Sequence, residues 1–196
     1  VDPLKRAKPN RPDDCPFVGK GGLKLQFALE RFSVDPTGWT AADLGCHVGG
    51  FTDCLLQTGT ARVYAVDTGY GILDYRLRID ERVVVCERTN LLFWSAPEPM
   101  DLVVIDAGWT RQELALPAAA RMLKDGGLVL SLVKPQYEAD KALLQRGVLP
   151  EEHRESVLAE VREAVPSTLE LSDEAISPVQ GSGGNREVWF KLAAAR

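Results

Sequence analysis

The sequence predicts an α/β fold in which a mostly parallel sheet is covered by helices on both faces. Three observations carry this. Near-continuously apolar runs of strand length alternate with helical stretches, as strands buried on both faces require. A glycine-rich turn joins the first strand to a helix. The last two strand runs have no helix between them, which predicts an antiparallel hairpin at one edge of the sheet.

In chain order, residues 1–20 carry Pro3, Pro9, Pro12 and Pro16 and read as an irregular leader. Leu23, Phe27, Ala28, Leu29 and Phe32 then recur near helical spacing, predicting a helix that opens after Gly21-Gly22 and ends before Pro36. Residues 39–42 are a short extended run, and 52–56 read as a helix. Strands are expected over 61–67, 82–86, 101–106 and 127–133. Residues 112–123 are rich in helix formers, with Pro117 as a local bend or an early start. Pro150 opens the clearest helix, with Val157, Leu158, Val161, Ala164 and Val165 on one face and Pro166 as its stop. Residues 168–176 and 187–192 are the last two strands, with a loose Gly181-Ser182-Gly183-Gly184-Asn185 between them. There is no internal repeat, and 21–196 reads as one domain.

The turn after the first strand is Asp43-Leu44-Gly45-Cys46-His47-Val48-Gly49-Gly50-Phe51. Glycine lets a ligand approach the backbone, and the following helix start supplies unpaired N–H groups. A dinucleotide turn spaces its glycines G-x-G-x-x-G around a pyrophosphate. Here they run G-x-x-x-G-G, with an acid two residues before the first. That acid repels a phosphate and welcomes a cationic amino-acid head group, which favours S-adenosylmethionine over NAD. A tight strand-to-helix turn of some other α/β protein is the plainer reading.

Composition bounds the rest. The 196 residues suit one domain with a full core, and the net charge is −5. A protein that grips nucleic acid with its whole surface is usually basic, so RNA contact has to come from a local patch. Residues 1–24 offer one, with a local balance of +3, although a solvated tail has the same composition. Cys15, Cys46, Cys54 and Cys86 form no C-x-x-C pair, and His47 and His153 are far apart, so reduced thiols are expected rather than a metal site. No apolar run approaches the ~20 residues of a membrane helix, and the first residues have no secretory core. A cytoplasmic location without membrane contact is the expectation.

The chemistry-bearing residues sit at carboxyl ends of successive strands, where ligands of such sheets bind. Asp43 ends the first, Asp67 the second, Asp106 the fourth and Lys134 the fifth. Asp67 is placed to accept from two ribose hydroxyls. Lys134 follows six apolar or small residues and needs an anionic partner, for which Asp106 is at hand; a purely structural ion pair is the alternative. Glu187 starts the last strand after Gly184-Asn185. Lys24 is remote in sequence, but the glycine pair before it lets its helix lie over the sheet edge.

Several stretches together resemble a known family: Gly21-Gly22-Leu23-Lys24-Leu25, Gly49-Gly50-Phe51-Thr52-Asp53-Cys54-Leu55-Leu56, Val63-Tyr64-Ala65-Val66-Asp67-Thr68-Gly69-Tyr70-Gly71, Glu87-Arg88-Thr89-Asn90, Asp101-Leu102-Val103-Val104-Ile105-Asp106 and Leu132-Val133-Lys134-Pro135-Gln136-Tyr137-Glu138. In this order they are similar to the hemolysin-A-like (TlyA) branch of the FtsJ-like RNA 2′-O-methyltransferases, over about residues 17–192. The resemblance implies a seven-stranded, Rossmann-like class I methyltransferase fold with one antiparallel edge strand. It implies S-adenosylmethionine as donor and ribosomal RNA, free or in a subunit, as acceptor. It also implies a Lys-Asp-Lys-Glu tetrad, which falls on Lys24, Asp106, Lys134 and Glu187. Donor contacts are expected from Asp43, Gly45, Gly49, Gly50 and Phe51 to the methionine part, from Asp67 to the ribose and from Asn90 near the adenine.

The sequence departs from the family in places. The usual N-terminal RNA-binding domain has no counterpart, and the first residues resemble the linker that follows it. Gly19-Lys20 stands for Ser-Arg, Cys46-His47-Val48 for an Ala-Ser-Thr-like turn and Ala107-Gly108-Trp109 for a Val-Ser-Phe-like run. A ribose hydroxyl is a weak nucleophile, so the enzyme has to position it and help its proton leave. Lys134, beside the second cation Lys24, either takes that proton or offsets alkoxide charge. A methyltransferase on another acceptor, or a non-catalytic RNA-binding protein of the same fold, are the competing functions. Oligomeric state, target nucleotide and target subunit are not legible.

Overall fold

The computed structural model describes residues 15–195, without the side chain of Ser182. The basic residues Lys5, Arg6, Lys8 and Arg11 of the expected leader lie outside the described residues. The strands are β1 (Thr40–Leu44), β2 (Arg62–Val66), β3 (Val83–Cys86), β4 (Met100–Ile105), β5 (Leu123–Val133), β6 (Leu169–Ile176) and β7 (Val188–Ala194). The helices are α1 (Gly21–Arg31), α2 (Gly50–Gln57), α3 (Tyr75–Arg78), α4 (Gln112–Ala120), α5 (Pro135–Glu138) and α6 (Glu151–Glu163). The strands form one sheet in the order β3-β2-β1-β4-β5-β7-β6. The first five pair in parallel, while β7 runs antiparallel to both β5 and β6. The antiparallel pairing is thus confined to one edge, as expected, with β7 one place in and β6 outermost.

The period of two along each strand divides the core. Leu102 and Val104 of β4, Leu130 and Leu132 of β5 and Trp189 of β7 face the layer built from α1 and α2. Val103 and Ile105, Val129 and Val133, and Val188 and Phe190 face the layer that holds α4 and α6. Continuing each alternation one step decides where the polar residues go. Asp106 follows Leu102 and Val104, Lys134 follows Leu130 and Leu132, and Glu187 precedes Trp189 by two. All three belong to the α1/α2 face.

Helix α1 reaches that face through close backbone contact. A Cβ on Gly50 would stand 2.9 Å from the Gly22 nitrogen and 3.2 Å from the Gly21 Cα, and one on Gly22 would meet the Phe17 ring at 2.3 Å. Glycine at both helix starts therefore lets α1 and α2 touch, with Lys24 one turn into α1. Residues 15–20 are irregular, and Cys15, Phe17 and Val18 are buried in the same core. Val18 N–H donates to Asp53 Oδ2 at 2.7 Å, which fastens this segment to α2.

Two elements differ from expectation. α4 runs through Pro117 and stops at Ala120, because Leu123 already pairs with Met100 as the first residue of β5, ahead of a bulge that precedes Leu102↔Leu128. The segment before Glu187 is anchored rather than loose. Asn185 is buried, its Oδ1 accepts from Leu149 N–H at 3.0 Å and its Nδ2 donates to Gly147 O at 3.0 Å. None of the four cysteines is in a disulfide, and burial pushes Cys54 up to about 12. Among the described residues no helix is long and apolar enough to cross a membrane.

Candidate active site

The register of the sheet assembles the tetrad. The β5–β7 ladder ends on Val133↔Val188, so Lys134 and Glu187 are the next residues beyond its last rung, opposite one another. Asp106 follows β4, the other neighbour of β5. Lys24 comes down from α1, its Nζ 2.5 Å from Glu187 Oε2. The Lys134 ammonium is ion-paired with Asp106 Oδ1, at angles that do not make it an aligned hydrogen bond. Glu187 feels the charges of Lys24, Lys134 and Asp106 together. Four residues spread over 164 positions of the sequence are therefore brought to one place. The side chains of Lys24 and Glu187 are only 12% and 3% exposed. Burial raises the Glu187 carboxyl above its ordinary value, against the pull of Lys24.

Beside the tetrad a cleft of about 540 Å³ opens at the carboxyl ends of β1, β2 and β4, with Gly45, Asp67, Asn90, Asp106, Trp109 and Lys134 on its wall. A smaller recess of about 190 Å³ adjoins it between the start of α1 and the glycine turn, lined in part by Gly21, Gly45, Gly50, Phe51 and Asp106. Gly45 has φ +92°, and a Cβ there would meet the Asp106 carbonyl oxygen at 2.7 Å, so only glycine lets the two strand ends meet across the cleft.

The other expected donor contacts divide. Gly45, Asp67 and Asn90 line the cleft, and Gly50 and Phe51 line the recess. Phe51 is also stacked on Trp189, ring centroids 5.5 Å apart. Gly49 backs onto the core instead: its φ is +98°, and a Cβ would strike Leu77 at 2.2 Å. Asp43 is fully buried and forms part of neither wall, because the Thr52 hydroxyl of α2 holds its Oδ2 at 2.6 Å. Its Oδ1 has no hydrogen-bond partner among the described residues, and burial pushes its pKa up to about 7. Asp67 accepts from His47 N–H at 2.9 Å and Gly69 N–H at 2.7 Å, which shapes the loop; a carboxylate has lone pairs left for hydroxyls. Asn90 Oδ1 accepts from Leu92 N–H at 2.9 Å.

Sequence reasoning passed over several wall residues. His47 sits at φ +48° in the turn, and Thr68, Thr89 and Leu91 flank the expected Asp67 and Asn90. Trp109 is the most consequential. It is 90% exposed, on the loop after Asp106, and its ring lies 5.2 Å from that of Tyr137. Lys134 Nζ is 5.9 Å from the Tyr137 ring centre. The signal was a tryptophan directly after a glycine in a strand-exit loop, where a large apolar side chain has little core to enter.

Known proteins resemble this chain in sequence and fold. A family model for FtsJ-like methyltransferases matches residues 17–193. The chain is 37% identical over 189 residues to the 16S/23S rRNA (cytidine-2′-O)-methyltransferase TlyA of Mycobacterium tuberculosis, covering 92% of this chain and 70% of that protein. It is 35% identical over 183 residues to YqxC of Bacillus subtilis, whose name assigns it rRNA methylation; there it covers 90% of this chain and 65% of the relative. The chain thus spans about two thirds of the length of these curated relatives. A solved structure named as a hemolysin from Streptococcus thermophilus superposes with a TM-score of 0.89 at 36% identity, over 94% of this chain and 70% of that one. The N-methyltransferase NodS of Bradyrhizobium japonicum WM9, solved with S-adenosyl-L-homocysteine, shares the fold alone, with a TM-score of 0.63 and 20% identity over 98% of this chain and 95% of its own. The chain belongs to the FtsJ-like methyltransferase family, in the branch that holds the TlyA proteins.

Proposed function

We propose that this protein transfers the methyl group of S-adenosylmethionine to a ribose 2′-hydroxyl of ribosomal RNA. The observation that carries the reading is the tetrad, in which Lys134, ion-paired with Asp106, lines a cleft at the strand ends and the Lys24–Glu187 pair lies within reach of its charge. The residues present fit the donor. Asp43 is buried behind the glycine turn with one oxygen unpartnered among the described residues, so it would act on the donor's ammonium through its field rather than by contact. Asp67 and Asn90 line the cleft, which supports contacts from them to the ribose and the adenine. When bound, S-adenosylmethionine supplies a methyl group already activated for transfer by its sulfonium.

The chain's own contribution is to place the hydroxyl and offset its charge. Lys134 lines the cleft wall, where its Nζ can hydrogen-bond the attacking oxygen. Because that ammonium is paired with Asp106, the arrangement supports offsetting the negative charge that builds on the oxygen rather than removing the proton outright. Lys24, fixed by Glu187, adds a second positive charge nearby, since Glu187 feels both lysines. The exposed Trp109 ring offers a face on which a single-stranded base stacks beside Lys134. The relatives whose names specify rRNA methylation support the acceptor.

Incubation with methyl-labelled donor and purified ribosomal subunits tests the reading. Label is expected in RNA, at dinucleotides that resist alkaline cleavage because the 2′-oxygen is blocked. Label in protein, in a base or nowhere contradicts it.

A further inference from the structure

A second groove, of about 220 Å³, begins where the tetrad ends. Pro135 and Gln136 directly follow Lys134, and Arg186 directly precedes Glu187; all three line it, so an occupant lies one residue away from both Lys134 and Glu187. Leu149 and Pro150 form an apolar wall. The groove is built, not a chance hollow, because Asn185 ties the β6–β7 loop to Gly147 and Leu149 across it.

Its polar groups define the occupant. Gln136 is only 5% exposed, yet its Oε1 has no hydrogen-bond partner among the described residues. A buried carbonyl oxygen of this kind calls for an N–H donor. Arg154 is neutralised by Glu151, Nη1 to Oε2 2.5 Å. Arg186 is exposed and forms no ion pair among the described residues, so its flat guanidinium is available for stacking. A phosphate fits poorly, because Gln136 Oε1 repels it and the Arg154 charge is already taken by Glu151. A flat heterocycle with an amino group fits, with its face against Leu149, Pro150 and Arg186 and its N–H on Gln136.

We propose that this groove is a subsite for a nucleobase adjoining the acceptor nucleotide, with Gln136 reading an exocyclic amino group and Arg186 stacking on the ring. This rests on the reading of the chain as an RNA-directed enzyme. Its test does not use methyl transfer, so failure of the subsite and failure of the labelled-subunit assay are separate results.

The test is an NMR titration of the isotope-labelled chain with two single-stranded hexanucleotides, one of adenosine and one of purine riboside, which differ only in the amino group. The wild type is expected to bind the adenosine oligomer about tenfold more tightly and to shift the amides of Gln136, Leu149 and Arg186. In Gln136→Leu the preference disappears. In Arg186→Ala, a change at an exposed position that keeps the test decisive should Gln136→Leu fail to fold, both oligomers weaken at least fivefold while the preference stays. Equal wild-type affinities, a preference that survives Gln136→Leu, or Arg186→Ala binding like the wild type overturns the proposal.

Discussion

Two charged regions meet at the carboxyl ends of the same sheet, and they are balanced differently. Beyond β4, β5 and β7 the two acids of the tetrad each have a cation: Glu187 holds Lys24 and Asp106 holds Lys134. Around β1, α2 and β2 the acids Asp43, Asp53 and Asp67 form no ion pair among the described residues. Asp43 has one hydroxyl and a bare oxygen, and Asp67 is held by two backbone N–H groups. The first region is complete in itself, which fits the positioning and catalytic role proposed for it. The second carries negative charge that the protein does not compensate, as a pocket for a cationic ligand should.

The largest expected effect tests the first region. Lys134→Ala should lower methyl transfer to ribosomal subunits by about a thousandfold or more, while donor affinity from calorimetry stays within about twofold. Lys134→Arg keeps the charge and should retain measurably more activity than Lys134→Ala. Equal inactivity of the two would instead assign Lys134 the removal of the proton.

Glu187→Ala strands Lys24 in a nearly closed site. It should cost about 3 kcal/mol in urea unfolding, as breaking a buried pair does. A cost near zero would mean that the pair is solvated and that the contrast between the two regions is false.

How much of this was legible in the sequence follows from the kind of information each residue needs. Asp106 and Lys134 could be read because an apolar strand with a charge at its end leaves the charge at the sheet rim, whatever the rest of the fold does. Asp67 was legible for the same reason. Glu187 was placed mainly by resemblance, since its neighbour depends on β7 entering between β5 and β6, and a non-local register leaves no local pattern. The burial of Asp43 was hidden because Thr52, one turn into the next helix, decides it. Gly49 looked like part of a ligand cradle, but Leu73 and Leu77 behind it set its role. Trp109 was noticed only as a departure from the family, because exposure of a tryptophan is a fact about what fails to cover it.

The second region makes a pH-dependent prediction. The folded-state pKa of Asp43 is raised to about 7 from 3.8, so the folded protein binds the extra proton between those values. Stability from this group is then greatest at acid pH and falls as pH rises from about 4 to 7. Asp43→Asn should flatten most of that slope in melting temperature. A remainder in the same direction is expected from Glu187, whose pKa is also raised. An unchanged slope would show that Asp43 does not carry the uncompensated charge.

The smallest effect on the fold, with a clear one on substrate, is expected at the cleft mouth. Trp109→Ala should change unfolding free energy by no more than about 0.5 kcal/mol, because the ring is 90% exposed. The same change should raise KM for RNA about five- to tenfold without altering donor affinity. Unchanged KM would remove the stacking role.

The central claim is that Lys24, Asp106, Lys134 and Glu187 act as one unit on an RNA hydroxyl. Nucleotide-resolution mapping of 2′-O-methyl groups on ribosomal RNA, after treatment with wild type or with Lys134→Ala, tests it most directly. The account predicts new methyl groups at one or a few defined positions with the wild type and none with the variant. The same positions modified by both proteins, or no position modified by the wild type, would contradict it.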